Sequence, residues 1–369
     1  MSRPQAINLD CAAGVSMLPE LIADYSALIP QFGINPHGLT CYAEDARRAI
    51  LDAERRLLAL CGTNDAEAGV IWCATGTEAA NLALRGFPWK SETAPLAIDR
   101  GAHPALRETA RDLTTHHASE FLVSEAGDLA PRPPAQSALV ALSQVNNETG
   151  VMWNADRSTL GSDCAVLLDA CQALGKHPLM WSSADLMMLS SRKVGGPATG
   201  AALVYRKNLH LKPVITGGGQ QGKIRSGTID VVSILLFVKA AELACAQSQE
   251  AYAKVSTLNQ ELREAINRLG HGSWPIFSPL TASPYICYFA IPGFEGAIIA
   301  RALAEQYGII VGTGSACSAE SRRTSDLLKA HGVPDDLARG TLRVSFSARS
   351  TPEELRTLLT ALLKVLDAY

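Results

Sequence analysis

The 369-residue sequence has no long run of Lys or Arg, and its formal net charge is only −3. It therefore lacks the electrostatic footprint of a nucleic-acid-binding protein. No stretch of about 18 apolar residues occurs, and the N-terminal residues contain no apolar segment of signal-peptide length. We expect a cytoplasmic protein that has neither a nucleic acid nor a membrane as its partner.

Cysteine is scarce, and the spacing of the cysteines matches neither a disulfide pattern nor a metal-binding motif. The nine cysteines are an odd number, and no two form a Cys-x-x-Cys pair. This spacing argues against a set of disulfides and against a structural zinc site, so we expect no metal. Most of the cysteines are expected to be small buried side chains.

Internal repeats, low-complexity tracts and Ser/Gly linkers are also missing, whereas 47% of the residues are hydrophobic. The chain can therefore bury a large core. Apolar strand-like segments alternate with helical or polar ones, with strands predicted at 69–74, 138–145, 165–169, 186–190 and 201–205. This alternation is typical of an α/β sheet.

The pattern changes in the last third of the chain. A long amphipathic helix is predicted at 251–269, a strand at 285–291, a helix at 295–306 and a final helix at 352–367. We predict a large domain of residues 15–248 and a smaller α+β domain of residues 1–14 and 249–369. Clefts between two such domains commonly hold small molecules.

Three candidate residues follow predicted strands. Thr77 stands in a turn that opens a helix, where N–H groups bind anions, although an ordinary helix cap is the alternative. Asp169 ends a buried strand and should face a ligand crevice, with a helix N-cap as the alternative. Lys193 precedes a Gly-Gly-Pro turn, and a lysine held there could form a Schiff base, because desolvation readily shifts its pKa.

Cys317 differs from the other cysteines because it lies in a small, polar segment, 312–321. Arg322 and Arg323 follow it. Exposure and neighbouring positive charge lower the pKa of a thiol and make it a better nucleophile. An incidental loop cysteine is the alternative.

The order of these motifs resembles one enzyme family. A Gly-Thr turn, His103, VNNETG, Asp-x-x-Gln, Lys193, RSGT and GSAC follow one another along the chain. This order resembles the cysteine desulfurases of the bacterial iron–sulfur-assembly type, which are class V aminotransferase-like, fold-type I pyridoxal-phosphate enzymes. The resemblance extends from 7–14 to 342–355. It implies an α/β large domain with a mostly parallel seven-stranded sheet flanked by helices, plus a smaller α+β domain that carries the Cys317 loop.

The resemblance implies pyridoxal 5′-phosphate as the cofactor, with Lys193 as its Schiff-base partner. Asp169 would pair with the pyridinium nitrogen and Gln172 would bond the phenolic oxygen. The residues implied for the phosphate are Gly76, Thr77, Ser190 and Arg192, the last replacing a histidine that is usual in the family. Thr228 would reach the phosphate bound by the neighbouring subunit, which implies a homodimer.

The resemblance also implies roles toward the substrate. His103 would stack on the cofactor ring and exchange a proton, and its ordinary alternative is a satisfied loop histidine. Asn147 would lie beside the cofactor and, with Arg343, would bind the substrate carboxylate. A strand-edge ion pair is the alternative for Arg343.

The function implied is the conversion of L-cysteine to L-alanine, with a persulfide formed on Cys317 for transfer to an acceptor protein that the sequence does not identify. Two alternatives stay open. The chain could be a related C–S lyase or aminotransferase that does not use Cys317, or a catalytically silent partner in sulfur trafficking.

Overall fold

The computed structural model describes residues 6–91, 93–113, 118–124, 128–130, 132–134, 136–153, 157–160, 164–313 and 325–368. The strands in these ranges are β1 (Ile7–Asn8), β2 (Ala68–Cys73), β3 (Leu96–Asp99), β4 (Ala118–Val123), β5 (Leu129–Ala130), β6 (Leu139–Ser143), β7 (Ala165–Asp169), β8 (Leu186–Ser190), β9 (Ala201–Arg206), β10 (Ile286–Ala290), β11 (Ile309–Ile310) and β12 (Thr341–Ser345). The α helices are α1 (Pro19–Phe32), α2 (Cys41–Leu60), α3 (Gly76–Arg85), α4 (Pro104–Asp112), α5 (Val231–Ala246), α6 (Ser248–Leu269), α7 (Gly296–Tyr307), α8 (Asp326–Ala330), α9 (Asp335–Arg339) and α10 (Pro352–Asp367).

One large sheet organises the first two thirds of the chain. Its strand order is β2-β9-β8-β7-β6-β3-β4-β5, and β4, β3, β6, β7 and β8 are parallel to their neighbours in that series. The strand β9 is antiparallel to both β8 and β2. The predicted α/β fold with a mostly parallel seven-stranded sheet is confirmed, and the two-residue β5 extends its edge.

The central strands are buried along their whole length. Every residue of β6 and β8 is buried, and hydrophobic clusters cover both faces of the sheet. Continuous apolar runs are typical of parallel strands that helices cover on both sides. The strands β6, β7 and β8 end at Ser143, Asp169 and Ser190, and Ser143 lies opposite Asp169 in the register. The polar residues that end these strands therefore lie together at the carboxyl end of the sheet.

A second group of elements forms its own core. The strands β10 and β12 are antiparallel, β1 pairs in parallel with β11, and α6, α7 and α10 pack around them. Leu9, from the start of the chain, belongs to the same hydrophobic cluster as Val255 and Leu362. The N-terminal strand is thus held by residues about 300 positions away. The domain boundaries at residues 15 and 248 stay a prediction.

In the described part of the chain, no single helix is long and apolar enough to cross a membrane. The successive helices α5 and α6 pass that test only as a pair, by length and composition, and they are bent by 68°. Much of α5 is buried in the core.

Candidate active site

A cavity of about 540 Å³ opens where the ends of β6, β7 and β8 meet. The residues predicted for the site that line it are Gly76, Thr77, His103, Asn147, Asp169, Gln172, Ser190, Arg192, Lys193 and Arg343. Thr228 is exposed and is not among the lining residues. Cys317 falls in 314–324, outside the described residues.

The N-terminus of α3 forms one end of the cavity. The Thr75 hydroxyl caps the helix by accepting a hydrogen bond of 3.1 Å from the Glu78 N–H. The Glu78 carboxylate accepts from the Ala74 N–H at 2.8 Å and from Arg225 at 2.6 Å, which fixes the turn. Since the first N–H groups of a helix have no intrahelical acceptor, those of Gly76 and Thr77 can serve an anion.

The Asp169 carboxylate lies at the cavity floor. Its Oδ1 atom accepts a hydrogen bond of 3.0 Å from the Cys171 N–H, which holds the carboxylate in place. The chain then forms turns rather than an α helix, so the alternative of a helix N-cap is wrong. A half-buried carboxylate here can pair with a protonated ring nitrogen of a bound molecule.

Lys193 also lines the cavity, on a single 3₁₀ turn that directly follows β8. Its Nζ atom donates to the carbonyl oxygens of Ala12 at 2.7 Å and Ala13 at 2.8 Å. Burial lowers the pKa of Lys193 below its ordinary value, and the positive charges of Arg343 and Arg192 act in the same direction. A lowered pKa increases the fraction of neutral amine, which is the nucleophilic form.

The N-terminal segment is packed closely against this lysine. The Val15 N–H donates to the Arg192 carbonyl at 2.9 Å. A Cβ atom on Gly14 would overlap Arg192 Nε, so a larger residue here would require the Arg192 side chain to move. Arg192 itself is exposed and borders the cavity, where its permanent charge suits an anion.

His103 precedes α4 and caps it. Its Nδ1 atom accepts a hydrogen bond of 3.1 Å from the Ala105 N–H, so the neutral ring carries its proton on Nε2. Burial lowers the pKa of His103, with the Asp169 carboxylate opposing that shift and Lys193 adding to it. This shift favours the neutral ring, in which one nitrogen is available to a ligand.

Arg343 is buried on β12, and its guanidinium makes three hydrogen bonds to two acceptor atoms. Its Nε and Nη2 atoms donate to Asp10 Oδ1 at 3.1 and 2.7 Å, and its Nη1 atom donates to the Asn147 carbonyl at 2.8 Å. The ion pair that the sequence left open as an alternative is thus present. Arg343 also borders the cavity, and its role toward a substrate carboxylate stays a prediction.

Sequence reasoning missed several residues that complete the site. Asp10 is 7% exposed and neutralises Arg343, although 333 positions separate the two residues. Arg107 pairs with Asp326 at 2.8 Å, and the Ser325 hydroxyl donates to Glu148. Only Glu148 had a sequence signal, since it lies within the VNNETG motif. These contacts fix the residues that immediately follow 314–324 at the cavity.

Comparisons with known proteins identify the family of the chain. A family model described as aminotransferase class-V matches residues 7–358. An IscS-like cysteine desulfurase of Mycobacterium tuberculosis is 31% identical, with 96% of this chain and 94% of the relative covered. A cysteine desulfurase of Cereibacter sphaeroides is 30% identical, with 98% and 96% covered. A solved NifS-like protein superposes with a TM-score of 0.88 at 22% identity, covering 99% of this chain and 100% of the other.

The chain belongs to the aminotransferase class-V family. Within that family its full-length relatives make it a cysteine desulfurase, which confirms the resemblance seen in the sequence. The structural likeness, at its low identity, supports the fold-type I architecture alone.

Proposed function

We propose that the cavity binds pyridoxal 5′-phosphate and that Lys193 is its covalent partner. The observation that supports this most strongly is the meeting of three groups at one cavity: the N-terminus of α3, the Asp169 carboxylate and the Lys193 amine. An anion site, an acceptor for a ring N–H and an amine of lowered pKa are the groups that this cofactor requires.

The residues present fit the parts of the cofactor. Gly76, Thr77, Ser190 and Arg192 would hold the phosphate, because they offer helix N–H groups, hydroxyls and a guanidinium. Asp169 would pair with the ring nitrogen, Gln172 would donate to the phenolic oxygen and His103 would lie against the ring. When bound, the cofactor supplies an electron sink for the bonds at the substrate Cα.

The chain's own residues then handle the substrate and its protons. Arg343 and Asn147 would orient the carboxylate of L-cysteine. Lys193 would take the Cα proton at Nζ, since burial lowers its pKa and so favours the neutral amine. His103, whose neutral ring carries its proton on Nε2, would exchange that proton with the substrate or with the thiol of Cys317.

We assign the sulfur transfer to Cys317. Its thiolate would attack the substrate sulfur, forming an S–S bond while the substrate C–S bond breaks. The electron pair of the C–S bond stays on the carbon, which gains a proton to give L-alanine, and the sulfur remains as a persulfide on Cys317. L-Cysteine and a thiol thus yield L-alanine and a persulfide with no external oxidant or reductant.

A homodimer is part of the proposal. Thr228 is exposed at the end of a glycine-rich loop, and Arg225 ties that loop to Glu78 on α3. Across a two-fold axis, Thr228 would reach the phosphate held by the neighbouring subunit. We also propose a cytoplasmic location and an acceptor protein for the sulfur; the free thiols of the described cysteines suit a reducing compartment.

The proposal is tested with Cys317→Ser. Loading with pyridoxal phosphate should still give visible absorbance, because the residues that bind the cofactor are unchanged. Alanine release from L-cysteine should fall by several orders of magnitude, since a serine hydroxyl is not ionised near neutral pH whereas a few per cent of a thiol is. Mass spectrometry of the wild type should find one added sulfur atom on the Cys317 peptide.

Cys41→Ser is a matched control, because Cys41 is an exposed thiol on α2 and does not line the cavity. It should release alanine at the wild-type rate. Undiminished alanine release by Cys317→Ser would contradict the persulfide step and favour a C–S lyase. A wild-type protein that takes up no pyridoxal phosphate would contradict the whole proposal.

A further inference from the structure

Lys176 is a second amine beside the cavity that the proposed function does not use. Its Nζ atom donates to Gln172 Oε1 at 3.2 Å and lies 5.7 Å from the centre of the Tyr285 ring. Among the described residues, no carboxylate lies within ion-pair distance of it. Burying an ammonium group that faces an amide and an aromatic ring, without a counter-charge, costs free energy of folding. The position of Lys176 therefore calls for a functional explanation.

The local backbone directs Lys176 toward Gln172. Gly175 has a φ of +70°, in the left-handed region that favours glycine, and a Cβ atom there would overlap Ala244 on α5. The chain therefore turns tightly after Gln172, and the Lys176 N–H donates to the Ala173 carbonyl at 2.9 Å. The turn thus brings the side chains of Gln172 and Lys176, four positions apart, into contact.

The amide of Gln172 has only one orientation that satisfies both of its partners. In its charged form, Lys176 is a donor and cannot accept a hydrogen bond, so the amide oxygen of Gln172 must face it. The Ala12 carbonyl can only accept, and Gln172 Nε2 donates to it at 2.8 Å. One N–H of the amide is thus used by Ala12, and the second N–H is the donor that Gln172, as a residue lining the cavity, has left to offer.

The same carbonyl of Ala12 accepts from Lys193 Nζ at 2.7 Å. A continuous set of hydrogen bonds thus runs from Lys176 through Gln172 and Ala12 to Lys193. We propose that Lys176 is a positioning residue, which fixes the Gln172 amide so that an N–H, and not the carbonyl oxygen, faces the bound cofactor. This inference rests on the proposed function, because it concerns the donor that Gln172 offers to the pyridoxal ring.

The contact should depend on pH in a defined range. Burial lowers the pKa of Lys176 to about 8, and the charge of Lys193 contributes. The titratable groups that face Lys176 or lie next to it are Cys11, Cys171, His177, Tyr285 and Lys193. Burial raises the pKa of Cys11 to about 11 and of Tyr285 to about 12, and lowers that of His177 to about 4. Those three groups therefore do not titrate near pH 8.

The first test observes the Gln172 amide directly in the full-length protein labelled with ¹⁵N-glutamine, with and without added pyridoxal phosphate. Gln172→Leu identifies its signals. In the wild type the amide signals should shift with a midpoint near pH 8, and in Lys176→Met that shift should vanish. Signals in the wild type that do not respond to pH, or that titrate equally in Lys176→Met, would overturn the proposal.

The second test is a double-mutant cycle on the loaded protein. Lys176→Met and Gln172→Leu should each reduce turnover about tenfold, as expected for one charge-assisted hydrogen bond. The double variant should be no slower than Gln172→Leu alone, and Lys176→Arg should restore most of the loss. Independent, multiplying losses would show that Lys176 does not act through Gln172.

Lys239→Met is the matched control, since Lys239 is a partly exposed lysine on α5 that pairs with Asp24 at 2.5 Å, away from the cavity. It should leave turnover and the amide titration unchanged. If the wild type bound no pyridoxal phosphate, the proposed function would fail, while the amide titration would still decide whether Lys176 fixes Gln172.

Discussion

The two walls of the cavity are built in different ways. The strand-end wall, which is formed by Ser143, Asp169 and Ser190, comes from neighbouring parallel strands whose positions the sheet determines. The N-terminal wall, which is formed by Ala12, Ala13 and Arg343, comes from opposite ends of the chain, and Asp10 pairs with its arginine. The backbone hydrogen bonds between neighbouring strands make the first wall rigid. The second wall depends on the ion pair of Arg343 and on the Ala12 carbonyl, which accepts from both Gln172 and Lys193. The two walls should therefore respond differently to substitution.

The largest expected effect concerns the N-terminal wall. Asp10→Asn leaves the buried Arg343 guanidinium without its counter-charge, and breaking a buried pair in this way costs about 3–5 kcal/mol of stability. Urea unfolding followed by circular dichroism measures the loss. Glu305→Ala, which removes an exposed i,i+4 partner of Arg301, is the control and should change the unfolding midpoint very little. If the two substitutions lowered the free energy of unfolding equally, the buried pair of Asp10 with Arg343 would not stabilise this wall.

A second prediction separates two aspartates that end parallel strands. Asp169 borders the cavity, whereas Asp99 at the end of β3 is 2% exposed and accepts from the Gly101 N–H at 2.8 Å. Burial raises the pKa of Asp99 from 3.8 to about 6. Because the folded pKa is the higher one, the folded state binds more protons between these values, and Asp99 lowers stability as the pH rises through about 6.

Asp99→Asn should therefore gain stability relative to the wild type as the pH rises from 4 to 7, by about 2–3 kcal/mol for a shift of about two pH units. Urea unfolding at a series of pH values measures the difference between the two proteins. A difference that is constant with pH would show that Asp99 is ionised throughout and would contradict the shift.

The smallest effect compares two matched helix caps. The Thr75 hydroxyl caps α3 at the cavity, and the Thr351 hydroxyl caps α10, which packs with α6 and α7. Each hydroxyl accepts from the N–H three positions on, at 3.1 and 3.2 Å. Replacing either with alanine should cost about 1 kcal/mol of stability. Only Thr75→Ala should also weaken binding of pyridoxal phosphate, as measured by titration of visible absorbance. Weaker binding in both variants would mean that the loss is global rather than local.

Much of the strand-end wall could be predicted from the sequence. The strands at 165–169 and 186–190 were found with their observed bounds, because their apolar runs end in polar residues that carry the chemistry. Lys193 follows β8 by only three residues, so locating that strand also located the amine. Local sequence patterns are sufficient to predict the position of a side chain where strand pairing alone determines that position.

Other parts of the structure carry no such signal. Helix α5 was not predicted, because it is apolar on nearly all sides and therefore shows no helical periodicity. The strand β3 has only four residues. The pairing of Asp10 with Arg343 depends on the folding of the whole chain, and Lys176 looks like an ordinary surface lysine until Gly175 turns it inward.

The backbone bridge between Gly312 and Arg343 has a consequence for the proposed nucleophile, Cys317. Their two hydrogen bonds, of 2.9 and 2.7 Å, tie the chain to the cavity wall just before 314–324. Cys317 lies four residues beyond Thr313, and a chain of four residues spans at most about 14 Å. If Cys317 is the nucleophile, as proposed, its attack on a substrate in the cavity is an intramolecular reaction, for which short tethers give effective concentrations of about millimolar or more. Lengthening the chain between 313 and 317 would dilute the nucleophile without altering any group that binds the cofactor.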